Sequence, residues 1–278
     1  MTKTASKLSK PSAQPESSES SEHIAPPNLF KVLLEGRAIW EYGMTLATWP
    51  FMHYALSDVH RGDGHPVVVF PGLAATDLTT TPLRAFLSKI GYDAHPWLQG
   101  INLGPRPGVL EIATEQVERI FKTTGKKVSV VGWSLGGIYA REIAKLAPHA
   151  VRNVITLGTP FEGSPDATNA FWLYKLANGK SPVDNALRES LKTSPPVPTT
   201  SIYSKSDGIV AWQCSIQSAK RASAEFENIE LIASHFGIGF NALAWYVIAD
   251  RLSQVEGEWK KFDINSKGVG KFFYENSR

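Results

Sequence analysis

The chain has one cysteine, Cys214, among 278 residues. This excludes an intrachain disulfide and a cysteine-ligated metal cluster, and it suits a reducing compartment. The first 27 residues lack an apolar core and hold Ser, Pro, Lys and Glu instead, so no signal peptide is expected. They also lack arginine and carry Glu16, Glu19 and Glu22, which argues against an organelle presequence. This segment reads as a disordered tail. No long basic run is present and the net charge is only +3, so no nucleic-acid partner is expected. There is no internal repeat. Nor is there a clean apolar run for a membrane span, because the best stretch, 39–56, contains Glu41, Pro50 and His53. These absences together point to a cytoplasmic location, at most peripheral to a membrane.

What is present is a large hydrophobic fraction, 42%, enough for one large core or two small ones. Six stretches read as strands: 65–71, 92–97, 127–131, 151–157, 199–203 and 228–233. Helical patterns separate them. One is expected to start at the cap Thr81 with Pro82 in first position, and to stop at Gly91. Another ends at Gly125, a third at Pro148, and a closing helix spans 241–262 with Ala244, Ile248, Leu252, Val255 and Trp259 on one stripe. Alternating strands and helices imply an α/β fold, a mainly parallel sheet of about six strands covered by helices on both faces. Three parts are expected: the tail 1–27, a helical segment 28–64, and a domain 65–278 with a short inserted helical cap at 161–195.

The segment 28–56 is helical in pattern and rich in aromatics, with Pro50 expected to kink or end the helix. Packing on the domain is the preferred reading, because an apolar stripe is more often core. The alternative is peripheral contact with a bilayer surface.

The chemistry centres on Gly132-Trp133-Ser134-Leu135-Gly136, which matches G-x-S-x-G between a β-branched strand and a helix. A serine nucleophile must stand clear of the sheet. A tight strand-to-helix turn achieves this, and side chains at 132 and 136 would collide there. Such a serine needs a base and an orienting acid. Of the seven histidines, only His235 lies in a loop after a late strand. Asp207, directly after the 199–203 strand and followed by Gly208, is the preferred acid; Asp166 is the runner-up, with Asp184 and Glu162 weaker. Right-handed crossovers put Ser134, Asp207 and His235 along one sheet edge. The backbone N–H groups of Leu135 and Leu73 are the candidate oxyanion donors.

The order of Val67–Leu73, Gly125–Arg141, Val154–Ser164, Ser204–Val210 and Ser234-His235 resembles the α/β-hydrolase superfamily, in particular its bacterial triacylglycerol lipase-like branch. Two departures stand out. The oxyanion loop opens with Pro71-Gly72 where the family usually has His-Gly, and Trp133 precedes the nucleophile where lipases often carry His. The resemblance implies a serine carboxylesterase or lipase-like hydrolase that cleaves esters with an apolar acyl group, using no metal or organic cofactor. Its substrate would be a small ester or a lipid. Trp133, Phe171 and Trp172 are the candidate substrate-lining residues. An acyltransferase using the same triad, or a non-catalytic lipid-binding protein on this fold, are the alternatives.

Overall fold

A computed structural model of the chain describes residues 24–57, 61–162, 167–169 and 190–263. Short β-branched runs form the central strands, buried on both faces as a parallel sheet requires, while the two edge strands are partly exposed. The strands are β1 (Pro66–Phe70), β2 (Asp93–His95), β3 (Val128–Trp133), β4 (Val151–Leu157), β5 (Thr199–Tyr203) and β6 (Phe226–Glu230). The sheet order is β2-β1-β3-β4-β5-β6 and every pairing is parallel. The expected fold class is therefore the observed one. β2 is shorter than its apolar pattern suggests. β6 begins and ends earlier than expected, so Leu231 to Ala233 become the loop that leads to His235.

Among the described residues the α-helices are α1 (Leu29–Leu34), α2 (Ala38–Ser57), α3 (Asp77–Lys89), α4 (Val109–Thr124), α5 (Leu135–Leu146) and α6 (Ala242–Leu252). Alternation along β1 divides the core. Val67 and Val69 meet Leu83, Phe86 and Leu87 of α3 and the buried face of α6. Val68 and Phe70 meet Val117 of α4 and Tyr139, Ile143 and Ala144 of α5. Phe86 stacks on Trp245 at 5.2 Å between centroids. Each such side chain contributes about 1.5–3 kcal/mol by leaving water, before entropy is counted.

Three boundaries differ from expectation. α3 starts at Asp77 because Thr76, not Thr81, is the cap, its hydroxyl accepting from the Leu78 N–H; Pro82 thus lies inside the helix. α6 stops at Leu252, and the chain turns at Gly257 (φ 84°). Val255 is left exposed, while Phe262 returns to pack edge-on against Tyr246. In the N-terminal segment, α1 is capped by Asn28, a 3-10 turn covers Glu35–Arg37, and α2 continues through Pro50. α2 lies against α6 and the turn at 238–240. No helix among the described residues is long and apolar enough to cross a membrane.

Most of the expected cap lies outside the described residues. Its two ends are tied to α5 by the buried Arg141. The guanidinium sits 3.8 Å over the Phe161 ring and donates to the carbonyls of Leu191 and Thr193 and to Gln217 Oε1.

Candidate active site

The turn from β3 into α5 is built on crowding. Ser134 has φ 53° and ψ −121°, a conformation that costs a non-glycine residue on the order of 1–3 kcal/mol. A Cβ at position 132 would lie 2.4 Å from the Gly136 carbonyl oxygen, and one at 136 would lie 2.3 Å from that of Phe70. The structure adds a third requirement. A Cβ at Gly137 would lie 2.0 Å from Thr159 Oγ1, which donates to the Ser134 carbonyl at 2.9 Å. The strain is held by fixed neighbours: the Ser134 N–H donates to Leu157 and its carbonyl accepts from Gly137.

The parallel topology brings three loop residues to the strands' C-terminal edge. Ser134 follows β3, Asp207 follows β5 and His235 follows β6. His235 Nε2 is 2.9 Å from Ser134 Oγ, and His235 Nδ1 is 2.7 Å from Asp207 Oδ2. The other oxygen of Asp207 accepts the N–H groups of Ile209 (2.8 Å) and Val210 (2.7 Å). Asp207 and His235 are buried while Ser134 is half-buried, so the hydroxyl is the member a ligand can reach. Burial alone would lower the His235 pKa. The charge and hydrogen bond of Asp207, helped by the Glu35 carboxylate, outweigh it and hold the imidazole above its ordinary value.

The loop after β1 approaches the same hydroxyl: a Cβ at Gly72 would sit 3.4 Å from Ser134 Cβ. Ala74 N–H donates to Asn102 and Ala75 N–H to Gly72. That leaves the Leu73 N–H without an acceptor among the described residues, as is the N–H of Leu135 at the start of α5. Trp133 was expected at the substrate. Its ring is buried, and its N–H donates to the His235 carbonyl at 3.0 Å, so it braces the histidine loop. Phe171, Trp172 and the runner-up acid Asp166 lie outside the described residues.

Sequence reasoning missed the polar ring that surrounds these loops. Glu35, Arg37 and Glu41 all reach them from the N-terminal segment. The signal that was available is two acids in an otherwise apolar stretch, together with Gly208 and Gly237 beside the two key side chains. No group of residues able to hold a metal ion occurs among the described residues.

A second Asp–His–Ser chain lies at the opposite end of the sheet and shows why geometry alone does not make a site. His65 Nδ1 bonds Asp63 and its Nε2 is 2.9 Å from Ser129 Oγ. Ser129 is 0% exposed, so nothing can reach it. Burial, then the nearby Arg152 charge, pull the His65 pKa below 6.5. The unfolded chain therefore takes up a proton that the folded chain refuses, and stability drains away as pH falls below the unfolded value. The fall in melting temperature between about pH 7 and about pH 5 should be smaller in His65→Gln than in the parent protein. An equal fall in both would show that His65 does not carry the acid sensitivity.

No family model matches the chain. In sequence it is 31% identical over 134 residues to a triacylglycerol lipase of Burkholderia plantarii, covering 44% of this chain and 36% of that one. It is 32% identical over 120 residues to a triacylglycerol lipase of Pseudarthrobacter phenanthrenivorans, covering 39% and 37%. The matched stretch thus spans little more than a third of either relative. In structure it is similar to Aspergillus fumigatus lipase B, with a TM-score of 0.52 at 22% identity over 71% of this chain and 55% of that one. It is also similar to the mature Bacillus licheniformis lipase BlEst2, with a TM-score of 0.52 at 19% identity over 71% and 94%. By fold the chain has the α/β-hydrolase architecture, and its matched stretch is similar in sequence to triacylglycerol lipases.

Proposed function

We propose that the protein is a serine hydrolase that cleaves carboxylic esters with an apolar acyl group through an acyl-enzyme on Ser134. The observation that carries this reading is the continuous chain from a reachable, strained Ser134 hydroxyl through His235 to a buried Asp207. In the first half-reaction His235 Nε2 takes the hydroxyl proton as Oγ attacks the ester carbonyl. Asp207 keeps the proton on Nδ1 and stabilises the imidazolium. The Leu73 and Leu135 N–H groups receive the oxyanion. His235 then protonates the leaving alcohol as the C–O bond breaks. Water repeats the sequence on the acyl-enzyme, releasing the acid and restoring Ser134.

A fluorophosphonate probe should label the native protein at Ser134, and mass spectrometry of the labelled peptide locates the adduct. A folded protein that stays unlabelled would overturn the assignment. Product analysis with and without an acceptor alcohol separates hydrolysis from acyl transfer.

The same reading includes contact with a lipid surface through the outer face of α1 and α2. Leu29, Phe30, Leu33, Ile39, Trp40 and Leu46 are exposed there, Ile39 to 83%. Lys31, Glu35, Arg37 and Glu41 cancel in charge across residues 28–48, so zwitterionic vesicles are the appropriate probe. Ile39→Ser with Trp40→Ser should weaken co-sedimentation with phosphatidylcholine vesicles by about tenfold or more, since each side chain is worth about 1.5–3 kcal/mol when buried. Unchanged sedimentation would remove the surface from the proposal.

A further inference from the structure

We propose that Glu35 is a positioning residue for the triad, one buried carboxylate that holds the Asp207 loop and the His235 loop in register. This rests on the reading of Ser134, His235 and Asp207 given above.

Glu35 sits on the 3-10 turn between α1 and α2 and is 7% exposed. Its Oε1 accepts from the Gly208 N–H at 2.7 Å and from the His235 N–H at 2.9 Å; its Oε2 accepts from the Phe236 N–H at 3.1 Å. Gly208 directly follows Asp207, and His235 is the base itself. One planar group therefore joins the two backbones whose side chains must meet, beside the direct bonds of Ser204 and Ser206 to Ala233. A carboxylate can accept several N–H groups at once, which a hydroxyl or a single carbonyl does less well.

Neighbouring side chains each hold one loop. Lys31 Nζ donates to the Lys205 carbonyl at 2.9 Å, and Arg37 donates to Ser206 Oγ at 2.7 Å. Glu41 accepts from the Ser234 N–H and also pairs with Arg37 at 2.9 Å. Of these residues only Glu35 bonds both loops. The approach is close enough to demand glycine at 208, where a Cβ would lie 2.2 Å from the Lys31 carbonyl oxygen.

The position has an electrostatic side as well. The charged groups facing His235 are Asp207 from the loop after β5, and Glu35 and the Arg37–Glu41 pair from the N-terminal segment. The Glu35 charge adds to that of Asp207 in favouring the imidazolium that forms during reaction.

The test uses the full chain and two readouts. The first is titration of the His235 imidazole by NMR without substrate; the second is the pH profile of p-nitrophenyl ester hydrolysis. Glu35→Gln keeps the size but presents an N–H group to at least one donor. It should lower the His235 pKa, move the acid limb of kcat/KM to lower pH, and reduce kcat by about 10-fold to 100-fold with KM little changed. Arg37→Gln together with Glu41→Gln removes the pair without changing the net charge beside His235 and should leave its titration in place. Glu35→Asp keeps the charge but is too short to span both loops, so kcat should fall while the acid limb stays. A folded Glu35→Gln protein with an unmoved His235 titration and parental kcat overturns the proposal. If Glu35→Gln does not fold, Glu35→Asp decides: parental kcat overturns it, and a reduced kcat with the limb in place supports it. If the parent protein hydrolyses no ester, the functional reading fails, and the NMR titration still decides the role of Glu35.

Discussion

Ser134→Ala is expected to abolish turnover of a short p-nitrophenyl ester while leaving the fold intact. Loss of the nucleophile in a serine triad lowers kcat by on the order of a millionfold, with a residue of catalysis left to the oxyanion donors and binding. The fold should survive because the bonds that hold the elbow belong to the backbone of residue 134. Its N–H donates to Leu157, and its carbonyl accepts from Gly137 and from Thr159 Oγ1. Alanine keeps the Cβ and hence the same positive-φ strain. Ser134→Gly, by contrast, should melt higher than Ser134→Ala, because glycine adopts φ 53° without the Cβ penalty. Rates are read by steady-state hydrolysis and stability by thermal melting. Substantial turnover by folded Ser134→Ala would sink the nucleophile assignment.

Asp207→Asn should cost about 10⁴-fold in kcat. The amide oxygen can still accept from Ile209 and Val210, so the turn is retained. The amide nitrogen then faces His235 Nδ1, now 2.7 Å from a carboxylate oxygen. An N–H there forces Nδ1 to accept, which moves the imidazole proton to Nε2, opposite Ser134 Oγ. The base then has no lone pair for the hydroxyl proton. The charge that raises the His235 pKa is lost as well, so its NMR titration should move down. If Asp166→Asn produces the large loss and Asp207→Asn only a mild one, the acid lies elsewhere in the chain.

Much of this arrangement could be read in advance because its signals are local. The β-branched run before Gly132 marks a buried strand, and the glycines around Ser134 mark a turn too tight for side chains. Strand–helix alternation then specifies a parallel sheet, and the sheet carries Asp207 and His235 to the same edge as Ser134. The helix ends were less legible, since apolar spacing continues past the point where tertiary packing stops the helix. Val255 keeps the period of α6 but faces water, because Phe262 returns to cover Tyr246. Glu35 was barely legible, its one signal being an acid in an apolar stretch. An isolated acid near a helix junction has no periodicity, and its partners are backbone N–H groups that any residue type supplies. Trp133 carries a second duty that its position does not announce. Its position beside the nucleophile suggests substrate, yet its N–H finds a carbonyl in the histidine loop.

The clasp made by Glu35 also has a consequence in time. Its bond partners lie 173 and 200 residues further along the chain. At a synthesis rate of about 5–20 residues per second, Glu35 is added to the chain roughly 10–40 seconds before His235 exists. During that interval the exposed apolar helices have no loops to hold, and the central sheet lacks β6. The proposed triad therefore stays incomplete until His235 has been made.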